Sequence, residues 1–374
     1  MKEGDPAIAR DRRAVAGARA SRLLADMQAS RRTNGLLSLS YVATLLAVLP
    51  IHLLNLALAA SGVALLWPGR TITEKVLGVL ALASVLAFRP RLRWVRGAGL
   101  LDQSPATAAL LVDIAQAVGG PPPTRLTVSS DFNAHVARTG IRGRTLDIGA
   151  PLWAALSPEE RIAVLGHELG HLANSDVRSS RIVASALTSL AQWTEVFAMR
   201  TVTYSRAYAI QLLLQVVLWP VRVVLTGYLR VITLLAAASH RRQEHYADLA
   251  SAVAGGSDGA CRMLEVTLMS GATETIATKA RLERSDVYDA IRDRFASYDD
   301  ATFRNARHRS GAATSRVDDS HPPTLNRLVL IESRPRVTAA VVRSAQEWAR
   351  IDAELLPSMR KAAEVYADRR IHRF

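Results

Sequence analysis

From Leu36 to Trp67 no Asp, Glu, Lys or Arg interrupts the chain, and this run exceeds the roughly 20 apolar residues that an α-helix needs to cross a bilayer. Such a segment selects a bilayer-crossing helix and limits the rest of the chain to what can be attached to one. Residues 1–35 are polar, with Lys2, Arg10, Arg12, Arg13, Arg19 and Arg22 outnumbering Glu3, Asp5, Asp11 and Asp26. That makes a basic tail of cytoplasmic type, too long for the start of a signal peptide. A second apolar run, Val76 to Phe88, is short for a span. It either pairs with the first as a hairpin, if the first helix ends near Ala60, or forms a buried core helix. Arg31 and Arg32 precede the first block and Arg89, Arg91, Arg93 and Arg96 follow the second, against only Arg70 and Lys75 between them. Basic residues stay on the cytoplasmic side. The N-terminus and everything after Arg89 are therefore expected in the cytoplasm, in a multi-pass protein of the cell membrane.

An apolar share of 49% beside 21% charged residues means that oily blocks alternate with basic ones. A net charge of +14 fits nucleic acid, an acidic partner or a membrane surface. The basic residues abut the apolar blocks, and no aromatic residues interleave with them as a single-strand-binding surface requires, so the expected partner is membrane lipid and not nucleic acid. One cysteine, Cys261, excludes an internal disulfide and any zinc site made of several thiolates.

After Pro105 a helix-like stretch, Ala106 to Val118, runs into Gly-Gly-Pro-Pro-Pro at 119–123, a strong breaker. Three strand signals follow at Leu126–Ser129, Ala134–Ala137 and Thr145–Ile148, with Gly140 and Gly143 marking a hairpin between the last two. Ser157-Pro-Glu-Glu160 then opens a helix as a capping box. Two further apolar stretches, 182–198 and 208–238, contain Glu195, Pro220, Arg222 and Arg230. They are either a third and fourth span or amphipathic helices lying on the membrane. Beyond Ser251 the pattern is helices and loops, with a mobile loop expected around His308 to Asp319 and a helical tail from Val337. The expected organisation is a tail at 1–35, a transmembrane hairpin at 36–90, one catalytic domain at 91–334 and a C-terminal tail at 335–374.

The chemistry is concentrated in Val164-Leu-Gly-His-Glu-Leu-Gly-His171. His167 and His171 are four residues apart, so both imidazoles leave one face of a helix, as two ligands of one zinc ion require. Glu168 is turned about 100° round the helix and can face a water instead of the metal, as base first and acid afterwards. Gly166 and Gly170 leave space beside the motif, as expected where a site helix is buried under a sheet. A catalytic zinc needs a third protein ligand, and Glu244 is the candidate. It lies four residues before Asp248, with Arg241 three before it, so one carboxylate can bind metal while Asp248 receives a ligand histidine's N–H. Taken alone, this segment also fits a solvated charged helix face.

Three separated segments resemble the M48 family of membrane zinc metallopeptidases, which includes the HtpX-type bacterial quality-control proteases and the eukaryotic CaaX prenyl proteases. They are His167-Glu-Leu-Gly-His171 with Asp176 downstream, Arg241-Arg-Gln-Glu244-His-Tyr-Ala-Asp248, and Ser320-His321-Pro-Pro-Thr324 with Arg327. Asn133-Ala134 also resembles the family's substrate-side strand. The resemblance implies a mostly helical, gluzincin-like α+β domain with a small antiparallel sheet, attached to transmembrane helices. It implies one catalytic zinc on His167, His171 and Glu244, with Asp248, Asp176 and Arg241 behind the ligands. It further implies His321, with Arg327, at the developing oxyanion, and substrate laid along Asn133, Ala134, His135 and Val136.

The expected activity is a membrane-anchored zinc endopeptidase in membrane-protein quality control, acting on unfolded or membrane polypeptides. Two alternatives stand beside it. A CaaX-type processing protease needs a large intramembrane chamber built from more spans than the sequence offers. A catalytically idle zinc-binding scaffold or sensor has no use for Glu168 or His321.

Overall fold

The computed structural model describes residues 39–87, 99–139, 143–173, 176–197, 208–311 and 323–371. The basic N-terminal tail and His321 lie outside them. In chain order the elements begin with α1 (Leu39–Leu65) and α2 (Ile72–Ala87), followed by α3 (Pro105–Val118) and strands β1 (Arg125–Ser129), β2 (Ala134–Thr139) and β3 (Gly143–Gly149). Then come α4 (Ala150–Ala155), α5 (Pro158–Ala173), α6 (Asp176–Phe197) and α7 (Tyr208–Thr267). The chain continues with α8 (Ser270–Leu282), α9 (Val287–Ala296), α10 (Asp300–Gly311), α11 (Thr324–Glu332) and α12 (Ala345–Ile371). Two compact units result, one from Leu36–Leu92 and Arg178–His240, the other from Arg93–Val177 and Arg241–Phe374.

The first unit is helical. α1 does not end near Ala60 but runs through Gly62 to Leu65, just short of Pro68 and Gly69. The turn that follows is closed by Thr71, which caps α2. Its backbone N–H donates to Glu74 Oε2 at 2.8 Å, the Glu74 N–H returns to Thr71 Oγ1 at 3.3 Å, and Arg70 pairs with Glu74 at 2.9 Å. α1 and α2 approach through glycines: a Cβ on Gly78 would stand 2.8 Å from the carbonyl oxygen of Gly62, the small-residue contact by which apolar helices pack closely. Val48 and Ile51 of α1, Val183, Ala186 and Leu190 of α6 and Ile232 of α7 form a small core. The Tyr228 hydroxyl donates to the Ala47 carbonyl across it. The outer surface is apolar too, with Leu46, Leu54, Val216, Trp219 and Val224 exposed. Among the described residues two segments, Val42–Leu65 and Gln215–Ala237, are long and apolar enough to cross a membrane; α2, with 16 residues, is shorter.

The second unit carries the sheet, and its order is β1-β3-β2. β2 and β3 form the expected antiparallel hairpin, but β1 runs parallel to β3, so the sheet is mixed and not wholly antiparallel. After β1 the chain reverses, lays β2 at the far edge and returns through β3 between the two. A strand inserted by two successive reversals must run in the direction of the first. Leu126, Leu146, Ile148 and Ala134 point from the sheet into a core shared with Leu110 and Ile114 of α3 and Leu165 and Leu169 of α5.

α5 begins at Pro158, and the Ser157 N–H donates to Glu160 at 2.9 Å, as a capping box requires. α7 turns at Gly256, whose φ of 79° suits a residue without a Cβ. α12 packs Trp348, Ile351, Leu355, Met359, Ala363 and Tyr366 into the same core. Its Glu354 carboxylate accepts the N–H groups of Ala106 and Thr107 at 2.8 and 2.9 Å, satisfying donors that the first turn of α3 leaves open. α10 continues through His308 to Gly311, and the rest of the loop expected there lies outside the described residues.

Candidate metal centre

α5 brings His167 and His171 to one face, their rings 4.9 Å apart and perpendicular. The third group arrives on α7. Its approach depends on the absence of side chains at Gly166 and Gly170. A Cβ on Gly166 would lie 2.6 Å from Cβ of Ala254, and one on Gly170 would lie 2.7 Å from Cβ of Ala250 and 3.2 Å from Cα of Ala247. The space expected beneath a sheet is thus taken by a second helix presenting alanines, which brings the α7 backbone against α5. Both pairs are four residues apart, a signal present in the sequence that points to this helix contact.

On that helix Glu244 is fully buried. Its Oε1 lies 3.5 Å from His171 Nε2 and its Oε2 lies 3.7 Å from His167 Nε2. One ligand atom from each of the three residues falls within 4.8 Å of the others. Bonds of about 2.0–2.2 Å in a tetrahedral arrangement put zinc ligands about 3.4 Å apart, so the donors stand close to the spacing such an ion requires. Two imidazoles and a carboxylate are also a donor set that zinc favours.

One turn along α7, Asp248 is completely buried, with Oδ1 3.2 Å from His167 Nδ1. A proton held on Nδ1 by that carboxylate leaves the Nε2 lone pair turned toward Glu244. Arg327, buried on α11, binds Asp248 from the other side: Nε lies 2.9 Å from Oδ2 and Nη2 lies 2.6 Å from Oδ1. Nη2 also lies 3.4 Å from His167 Nε2 and 3.8 Å from Glu244 Oε2. Burial alone would raise the Asp248 carboxyl, but the charge of Arg327 and the hydrogen bonds from His167 and Arg327 outweigh it and hold the group well below the ordinary carboxylate range. Burial likewise works against the Arg327 cation, and Asp248, then Glu244 and Glu168, more than restore it.

Glu168 is buried on the neighbouring face of α5, and its Oε2 accepts the backbone N–H of Val136 at 3.0 Å. Among the described residues, three buried carboxylates, Glu168, Glu244 and Asp248, gather beside the buried guanidinium of Arg327. The residues present therefore fit a zinc ion.

The other expected positions divide. Ala134 is buried, and the Asn133 carbonyl is taken by the Gly149 N–H at 2.8 Å. His135 is half exposed, 3.8 Å from Asp147. Asp176 opens α6 and Arg241 lies on α7, but the side chains of both are outside what the structure describes, as is all of His321. Arg327, expected at the oxyanion, is engaged with Asp248. His245, next to Glu244 on α7, is buried as well. Sequence reasoning missed the Val136 N–H, because a backbone donor leaves no mark in residue type.

Residues 105–334 match the family model described as peptidase family M48. No curated protein matches the chain.

Proposed function

The chain belongs to peptidase family M48, a family of zinc metallopeptidases, and from that premise we propose that it is a membrane-anchored zinc endopeptidase that hydrolyses unfolded or misassembled membrane proteins. The observation that carries this reading is the convergence of His167, His171 and Glu244, with one donor atom from each within 4.8 Å, two imidazoles and a carboxylate being a donor set that zinc favours.

His167, His171 and Glu244 would hold the zinc, which when bound supplies a Lewis acid and lowers the pKa of its water. Glu168 would take a proton from the attacking water and deliver it to the leaving amine. Asp248 fixes the tautomer of His167, and Arg327 fixes Asp248. His321 takes the oxyanion role on the strength of the His-Pro motif, a contribution of the kind worth about 2.7–4 kcal/mol when a donor is lost. The substrate lies extended along β2, an edge strand whose outward main-chain groups, apart from the Val136 N–H bound to Glu168, can pair with it. Recognition through backbone favours broad specificity, which suits quality control.

Anchoring rests on Val42–Leu65 and Gln215–Ala237 and on exposed apolar residues that lipid would cover. The basic residues outside the first hairpin favour a cytoplasmic N-terminus and catalytic domain.

Metal analysis of the detergent-solubilised chain beside Glu244→Ala, with casein as substrate, tests the reading. Native protein is expected to carry one zinc per chain and to cleave, and Glu244→Ala to lose both. Glu168→Gln is expected to retain zinc and to lose about 10²–10⁴ in kcat. Cleavage by Glu168→Gln at the native rate would overturn the mechanism.

A further inference from the structure

We propose that the main-chain N–H of Val136 is the positioning group for Glu168, holding one carboxylate oxygen so that the other faces the reacting water. The inference rests on the proton-transfer role proposed above for Glu168.

Because β3 lies between β1 and β2, β2 is an edge of the sheet. In an antiparallel pair, alternate residues turn both main-chain groups toward the partner strand. The Asn133 carbonyl accepts from Gly149 at the end of β3, so residues 133, 135 and 137 face inward and Ala134, Val136 and Arg138 face outward. An outward N–H on an edge strand goes to water or to an incoming strand. At Val136 it goes to Glu168 Oε2, at 3.0 Å.

Glu168 reaches this contact from α5 on a long side chain with several rotamers. A charge-assisted hydrogen bond to a strand fixed by its ladder selects one of them. Ala134, two residues before, is buried, which fixes the strand against the core as well. The general base is thus aligned by the sheet and not only by its own helix.

A second consequence concerns register. The central donor of the outward row is already engaged, so a substrate strand along β2 finds its N–H partners at Ala134 and Arg138.

Two measurements on the full chain in detergent test the assignment. The first replaces Val136 by its α-hydroxy acid, which exchanges the N–H for an ester oxygen; the His135 carbonyl becomes an ester and a weaker acceptor but keeps its place opposite Asp147 in the ladder to β3. The expected result is about a tenfold loss in kcat with KM within about twofold. A loss carried by KM with kcat unchanged would mean that this N–H serves the substrate, and no change would mean that it serves neither; each overturns the assignment. The second measures residue-resolved amide exchange on metal-free protein. The Val136 amide is expected to be protected in native protein and in Glu168→Gln, whose carbonyl still accepts. In Glu168→Ala it is expected to exchange about tenfold faster or more, with Ala137 unaffected. Equal rates at Val136 in native protein and Glu168→Ala would overturn the assignment even if the ester variant does not fold. If native protein cleaves nothing, the peptidase reading fails, and the exchange rates still decide whether Val136 holds Glu168.

Discussion

Arg327 lays Nε and Nη2 across both oxygens of Asp248, at 2.9 and 2.6 Å, so α11 grips the carboxylate that in turn holds His167. The fork is specific to guanidinium, since lysine supplies the charge without the two fixed donors. Arg327→Lys is expected to weaken zinc binding by about 10–100-fold, the usual cost of losing a partner behind a ligand. Asp248→Asn is expected to cost a similar amount. Because both act through His167, the double variant should lose little more than either single one. Competition against a chromophoric chelator measures all three, and full additivity would separate Arg327 from this chain of contacts.

The same pair makes stability depend on pH. The folded Asp248 carboxyl is held below its ordinary value, so between the depressed value and the ordinary one, about 3.9, the unfolded chain binds a proton that the folded chain refuses. Stability therefore rises with pH through that window. The contribution is complete above the ordinary range and declines as pH falls below about 4 toward the depressed folded value. Thermal unfolding of metal-free protein should show native protein more stable than Asp248→Asn at pH 6, with the gap narrowing at pH 3. A gap that widens on acidification would contradict the geometry.

Residue spacing made the site helix readable. His167 and His171 share a face because 3.6 residues make a turn, and Ser157 with Glu160 marks where that turn count begins. Glu244 followed from the same spacing to Asp248. The sheet was harder, because a parallel partner is set by chain reversals and not by any feature of β1 itself. α7 runs from the mainly apolar stretch at 208–238 into the ligand segment as one helix, and the change in polarity near Ser239 disguises it as two elements. α12 repeats its large apolar residues every three or four positions from Trp348 to Tyr366, so its amphipathicity was visible. Its packing partner was not, since that lies far away in sequence.

Helix approach sets the metal geometry, so crowding it should be felt at the ion. A methyl at residue 170 would meet Cβ of Ala250 at 2.7 Å and Cα of Ala247 at 3.2 Å, and backbone cannot swing aside as a flexible side chain would. Gly170→Ala is expected to move α7 away, to cost about 1–3 kcal/mol in stability and to lower zinc affinity by at least about tenfold, since Glu244 rides on the same helix. Adding Ala250→Gly removes the first obstacle and should recover part of the affinity. Isothermal titration with zinc, supported by circular dichroism to show that helix content is kept, distinguishes this from simple unfolding.

The buried guanidinium of Arg161, on the first turns of α5, ties the site helix to residues beyond the family match. It donates to the Trp153 carbonyl at 3.1 Å and to Asp352 at 2.8 Å, and it lies 4.8 and 5.8 Å from the ring centres of Trp153 and Trp348. Trp348 and Asp352 both belong to α12. Removing that helix would strip the core of Trp348, Ile351, Leu355 and Met359 and take from Arg161 its carboxylate partner Asp352. A chain ending at Arg334 should therefore neither fold nor bind zinc, although it contains every proposed ligand. Trp348→Ala is the milder test. It should lower stability by about 3–5 kcal/mol and, where the protein remains folded, leave zinc affinity near native, because Trp348 braces the start of α5 and not the turn that carries His167 and His171. Affinity falling in step with stability would mean that the ligand geometry depends on the whole length of the helix being held.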